Sequence, residues 1–457
     1  MTVRIAQPHV RFGDPHVTSD DPSRLSIHAC VYEALVRRGA GGHFRDGLAT
    51  DYTLSADART WRFVLRPAMF HDGQALKAED VVFSLRRVRD EVLEGELGTS
   101  GVFQRYLRRA TVAVDDEQTV VLTTATPTAD LLDLLVDIPI IPRSYNGHPV
   151  GTGPYRVLES GSDRVVLERA GDGMAHTPRG MKELPARLEY IGIADPEARL
   201  GADADVATDV APGAPGEVRA ATTVCTTFLC NLERGPCTSR AFRQALNWAV
   251  DVPTLIREEL GGAAVPIQGP LTSRHLGVDG STPGYTFKPS EARRLLESSG
   301  IVGGKITLDV PTRLPDEAQR VAARLAEYYA AVGIDCEIAV HEDRPAYADR
   351  VRDKGIHDAA CFDSSPSSTF RVLWEKFHSG HRGPWWQGYQ NPEVDRLVDQ
   401  ARASPDIARR QLLYGQAFGI LSRDAPWIFL YNPSRCFAVA PRLAGWTPSP
   451  DGYAIFH

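Results

Sequence analysis

The chain has no long hydrophobic run, no basic excess and few cysteines, and each shortage excludes something. Its most apolar stretch, LLDLLVDIPIIP at 131–142, is interrupted by two aspartates and ended by proline, short of the roughly 18 consecutive apolar residues that span a membrane. With 51 Lys and Arg against 58 Asp and Glu the net charge is −7, so the basic face of a nucleic-acid binder is missing. The opening MTVRIAQPHV lacks a charged n-region, an apolar h-region and a small-residue cleavage site, so no signal peptide is read there. The seven cysteines include no CxxC pair and leave at least one thiol unpaired. Cys225, Cys230 and Cys237 follow no zinc-ribbon spacing and read as buried thiols. Neither a GxSxG elbow nor an HExxH helix occurs, so catalysis has no support and a non-enzymatic role without metal or cofactor is expected.

What is present is an ordinary globular composition, 43% hydrophobic and 24% charged over 457 residues, enough for two or three domains. The second half carries the clearest periodicity. KITLDV (305–310) alternates like a half-buried strand, and Ala318, Val321, Ala322, Leu325 and Tyr329 then recur at helical spacing up to Gly333. IDCEIAV (334–340) alternates again, which predicts a parallel βαβ unit with a right-handed crossover. A helix near 344–354 and a strand at HDAACFD (357–363) extend it. Thr238 or Ser239 caps a helix through Phe242, Ala245, Leu246, Ala249 and Val250 that Gly261-Gly262 ends. Helices are expected at 393–402 and 407–423, and a buried strand at PWIFLY (426–431). The first half is richer in β: TWRFVLRP (60–67) and the pair within 110–124 read as antiparallel strands, with a helix at 78–90. PGAPG (212–216) is the linker-like punctuation between the halves.

Several segments carry possible chemistry. VGTGPYRVLE (150–159) has glycines but no helix after them, so a tight turn entering a strand is expected rather than a phosphate loop. HSGH (378–381) has histidines three apart, but Ser379-Gly380 reads as a helix end. In an open α/β sheet ligands settle beyond the carboxyl ends of the strands. Asp363, Ser364 and Ser365 sit just past such an end, where Asp363 pairs with a ligand ammonium and the hydroxyls hydrogen-bond; the plainer alternative is that Asp363 or Ser365 caps a helix from Ser367. Trp385, Trp386 and Tyr389 form either a binding wall or a packing anchor. Arg371 and Arg382 are candidate receivers of a ligand carboxylate. Phe12, Asp14 and His16 follow the first strand-like run, and Tyr431-Asn432 follow PWIFL, in positions suited to ligand contact.

Read together, these segments resemble the extracytoplasmic solute-binding proteins of the dipeptide, oligopeptide and nickel ABC-importer family, family 5. The resemblance rests on GLATDYTLSADARTWRFVLRPAMFHDGQALKAEDVVFSLRRV (47–88), GTGPYRV (151–157), CTSRAFRQALNWAVD (237–251), NPEVDRLVDQARA (391–403) and DAPWIFLY (424–431), in the family's order and spacing. It implies an α/β fold of the periplasmic-binding-protein class II, with two lobes, a subdomain inserted in lobe one and a hinged ligand cleft. Lobe one would comprise 1–24, 150–222 and 430–457, the insertion 25–149, and lobe two 223–429.

The resemblance further implies capture of a peptide or peptide-like small molecule by a monomer that delivers it to the permease subunits of an importer. In peptide-binding relatives an Asp after the strand equivalent to 357–363 holds the ligand ammonium. Phe362 here stands near the family's aromatic and Asp363 is the available acid, although Ser365-Pro366 replaces the expected Asp-Pro. A disulfide known in some relatives would map onto Cys225 and Cys361, which could equally be free thiols. Localisation would be periplasmic, or at the cell surface as a lipoprotein, with the signal removed. The alternative is a cytoplasmic protein that sequesters a ligand on the same fold. A third reading makes the cleft an enzyme, with Asp363, His16 or His381 as acid or base.

Overall fold

The structure is a computed structural model that describes residues 1–17, 21–91, 93, 101–170, 184–301, 304–313 and 315–456. The chain divides into two units, Met1–Ala221 with Arg435–His457, and Thr222–Ser434. PGAPG lies inside the first unit, just before the strand Glu217–Ala221.

In the first unit the strand Thr2–Gln7 runs parallel to Arg187–Gly192 and to Val206–Thr208, and the sheet continues through Arg164–Arg169 to Tyr155–Ser160. Its alternate residues Val3 and Ile5 are fully buried, as the period of two requires for one face against a core. A four-stranded antiparallel sheet, in the order Ala49–Leu54, Thr60–Leu65, Thr119–Thr123, Thr111–Asp116, packs with the helix Ala78–Asp90 around Trp61, Phe63, Val81, Leu85 and Leu122. The helix ends coincide with the expected 78–90 because Asp80 returns a carboxylate to the Lys77 N–H, closing the first turn. GTGPY is a turn feeding Tyr155–Ser160. A Cβ at Gly151 would overlap the Val31 carbonyl and one at Gly153 would press on the Cys30 carbonyl, so the glycines serve close backbone approach, not phosphate.

The second unit holds the expected parallel pair. Lys305–Pro311 pairs in register with Asp335–His341 across the helix Ala318–Ala330, and on its other side runs parallel to Ala359–Ser364. Cys225–Cys230 then pairs antiparallel with Ala359–Ser364 and with the first half of Trp427–Val439. Phe228, Phe242, Leu246, Ile306, Leu308, Val310, Val321, Leu325 and Tyr329 fill the core. The helix expected to run to Gly261 is instead two, Arg240–Trp248 and Val252–Glu259: Asp251 caps the second and Pro253, which cannot donate within a continuous helix, sits in its first turn. Ser239 caps the first. Pro392–Arg402 and Ile407–Asp424 are helical, and no helix among the described residues is long and apolar enough to cross a membrane.

Candidate functional site

Three neighbouring strands of the second unit deliver one row of side chains. Thr226 lies opposite Asp363 on one side and opposite Tyr431 on the other. Residues directly opposite in adjacent strands share a face, so Tyr431, Thr226 and Asp363 line up across the sheet. Thr226 Oγ1 donates to Asp363 Oδ1 at 2.7 Å. Tyr431 OH donates to Glu317 Oε1 at 2.9 Å, and Glu317 stands at the start of Ala318–Ala330. The row therefore gathers two carboxylates and the hydroxyls that orient them, with Asp363 and Thr226 near the ends of their strands and Tyr431 inside the long strand Trp427–Val439.

Burial removes water from the Asp363 carboxyl and raises its pKa to about 7, helped by the negative charges of Glu317 and Asp316, while the Thr226 hydrogen bond and the Arg344 charge oppose the rise. Burial, with the Glu317 and Asp363 carboxylates, drives the Tyr431 phenol well above its usual range, so it stays a neutral donor. Near neutral pH the Asp363 group is thus poised between acid and carboxylate. A cation placed against it would complete its ionisation, because an opposite charge nearby favours the charged form.

Phe362 and Ser364 project to the other face of the strand. Phe362 meets Trp385 with ring centroids 5.1 Å apart, and the Lys376 ammonium lies 5.6 Å from the Phe362 ring. The Ser364 hydroxyl is buried without a partner among the described residues. The following loop is tied down: Thr223 Oγ1 donates to Ser365 O at 3.2 Å and His275 Nε2 to Pro366 O at 2.9 Å. Neither Asp363 nor Ser365 caps the next helix. That helix is Thr369–Lys376, and Ser368 caps it by accepting from the Arg371 N–H.

Other candidates are placed elsewhere or are spent on structure. Trp386 and Tyr389 are only 4% exposed each; Trp386 Nε1 donates to Tyr389 O, and Tyr389 OH donates to Asp424. They anchor the 383–392 segment, whereas Trp385 remains half-buried beside Phe362. Arg371 pairs with Glu375 one helical turn on, and Arg382 lies over Trp386 with its Nε donating to Ser379 O. His378 and His381 lie against Trp374, and no metal-binding group of three His, Cys, Asp or Glu side chains is found among the described residues. The Asn432 amide donates to Thr222 O and Oγ1 and to Val224 O, bracing the chain where it enters this unit.

The Cys225–Cys361 pairing is corrected by the register. Cys225 faces Ser364 and Cys361 faces Phe228. An offset of three residues puts the two thiols on opposite faces and their Cα atoms about 10 Å apart along the strand, beyond the roughly 7 Å that a disulfide spans. All seven cysteines are free thiols here.

In the first unit the Phe12–His16 segment is folded upon itself. The Phe12 ring packs on His28 at 4.9 Å, and its carbonyl accepts from His28 Nε2. Arg87 donates to both oxygens of Asp14, at 2.9 and 2.6 Å, and contacts His16 Nδ1. His16 Nε2 donates to Pro139 O, and burial, aided by the Arg87 charge, lowers its pKa to about 4. His28 is lowered to about 4 for the same reason, with Arg24 contributing.

Two members of the row, Thr226 and Glu317, were not singled out from the sequence. The signal for Glu317 was available: Pro315-Asp316 opens a helix just beyond the carboxyl end of 305–310. Thr226 becomes visible only through pairing across strands 137 residues apart in sequence.

Over residues 43–381 the chain matches the model of the bacterial extracellular solute-binding proteins, family 5 Middle. It is 27% identical over 440 residues to the glutathione-binding protein GsiB of Pectobacterium atrosepticum, covering 88% of this chain and 83% of that one. To the dipeptide-binding protein of Escherichia coli it is 24% identical over 463 residues, covering 89% and 84%. The solved structure of HbpA2 from Haemophilus parasuis superposes with a TM-score of 0.84 at 20% identity, over 99% of this chain and 98% of that one. The α/β fold is that of the class II periplasmic solute-binding proteins, a family of binders rather than enzymes. The chain belongs to the bacterial extracellular solute-binding proteins of family 5.

Proposed function

We propose that this protein, the substrate-binding component of an ABC importer, captures a peptide or peptide-like small molecule whose ammonium group is received by Asp363. The observation that carries the reading is the Tyr431–Thr226–Asp363 row, which holds a carboxyl group at the ends of strands with its ionisation balanced near pH 7. A ligand ammonium adds to the positive charge of Arg344 in favouring the carboxylate, and the Thr226 hydroxyl keeps the accepting oxygen oriented. Dipeptide and glutathione, named for the two relatives above, share a free ammonium and at least one peptide bond.

The protein acts as a monomer outside the cytoplasm, in the periplasm or tethered at the cell surface, and the liganded form is what permease subunits recognise. Ligand binding stabilises that form by its differential affinity for it. Native mass spectrometry of the protein purified from cells tests the ligand class: adducts with peptide masses are expected. Adducts made up solely of sugars or of compounds without an amino group would overturn the reading.

A further inference from the structure

The strand that carries Thr226 at one end carries Cys230 at the other, and Cys230 is not alone. Seven residues on, Cys237 sits in the single turn Pro236–Thr238, and both thiols are fully buried in the same hydrophobic core. The Cys237 thiol is hydrogen-bonded to the Cys230 thiol.

The surrounding frame imposes this meeting. The Asn231 N–H donates to Asp358 O and the Leu232 N–H to Gln387 O, which fixes the chain as it leaves the strand. Gly235 reverses it at φ 73°, where a Cβ would collide with the Asp358 carboxylate. Arg243, itself buried, then holds the turn by donating to Cys237 O at 2.7 Å, and to Ala425 O and Asp424 O at 2.9 and 2.8 Å. Neither cysteine can move far from the other without breaking these bonds.

We propose that Cys230 and Cys237 are a cross-linking pair, joined as a disulfide when the chain folds in an oxidising compartment. Two S–H bonds break and one S–S bond forms; the two protons and two electrons pass to a disulfide oxidant, such as oxidised glutathione or a dithiol oxidase, which is reduced to two thiols. The link forms during folding, before the core closes, because thiolate attack needs access as well as an ionised sulfur: in the folded chain both thiols are unexposed, and burial beside a second thiol holds Cys237 protonated. Cys336 is the one cysteine that is only partly buried, and it lies apart on the strand Asp335–His341. The product would pin the base of the strand whose far end presents Thr226, whatever ligand the protein takes.

The full-length protein is unfolded in guanidinium, refolded either in a glutathione redox buffer or with dithiothreitol, alkylated under denaturing conditions and digested without reduction. Five alkylated cysteines of the seven, a linked Cys230–Cys237 peptide and a mass lower by two hydrogen atoms are expected from the redox buffer, with seven alkylated in dithiothreitol. Cys230→Ser and Cys237→Ser should each abolish the link, and the wild-type peptide map decides the matter if either variant fails to fold. Seven alkylated cysteines after oxidative refolding, or a link through any other pair, would overturn the proposal.

Discussion

The first unit's Phe12–His16 segment and the second unit's Tyr431–Thr226–Asp363 row contain the same kinds of group, an aspartate, aromatics and a hydrogen-bonding partner, yet they are in opposite states. In the first, Arg87 neutralises Asp14 and burial keeps His16 and His28 neutral, so every charge is already answered inside the unit. In the second, burial together with the negative charges of Glu317 and Asp316 outweighs the Thr226 hydroxyl and the Arg344 charge, and the Asp363 pKa is raised rather than lowered. The difference teaches that an aspartate near a strand end is a candidate to receive a ligand cation when burial and neighbouring negative charge outweigh the cation and hydroxyl beside it.

Acid separates the two most strongly. His16 and His28 have folded pKa values near 4, below their ordinary 6.5, so the stability they contribute is complete above pH 6.5 and is lost as pH falls toward 4. Asp363 is raised from 3.8 to about 7, so its contribution is complete below pH 4 and is lost as pH rises to 7. Circular-dichroism melts between pH 7.5 and 4 should show the first unit losing several kcal/mol while the Asp363 penalty in the second is relieved. Equal acid sensitivity of His16→Phe and the wild type would break the contrast.

Next in size, Arg87→Ala leaves the half-buried Asp14 carboxylate without its partner and should cost about 1–2 kcal/mol in urea unfolding, with ligand affinity unchanged. Asp363→Asn removes a carboxyl whose ionisation burial penalises, so it should raise the melting temperature by a few degrees at pH 8 and leave it unchanged at pH 4. The smallest effect belongs to Thr226→Val. Without its hydroxyl the Asp363 pKa should climb further, seen directly by carboxyl 13C NMR, at a stability cost of about 1 kcal/mol.

Much of the fold was legible because it is written in local periodicity. The helix at 78–90, the βαβ unit around Val321 and Leu325, and the paired strands within 110–124 follow from residues close in sequence. Where the reading failed, a longer-range fact decided. Asp251 and Pro253 restarted a helix that apolar spacing had carried on to Gly261. Cys225 and Cys361 were kept apart by a strand register that no spacing reveals. Asp363 was visible as an acid at a strand end, but Thr226 and Glu317 come from distant segments, and only the folded sheet brings them to it. Trp385 and Trp386 are adjacent in sequence and were indistinguishable there; packing buries Trp386 and leaves Trp385 beside Phe362.

Calorimetric titration of wild type and Asp363→Ala at pH 8, with dipeptides bearing either a free or an acetylated amino terminus, tests the central claim most directly. The free dipeptide should bind the variant at least tenfold more weakly, about 1.4 kcal/mol, while the acetylated one should not distinguish the two proteins. Equal affinity of the free dipeptide for both proteins would contradict the assignment of Asp363 as the group that receives the ligand's positive charge.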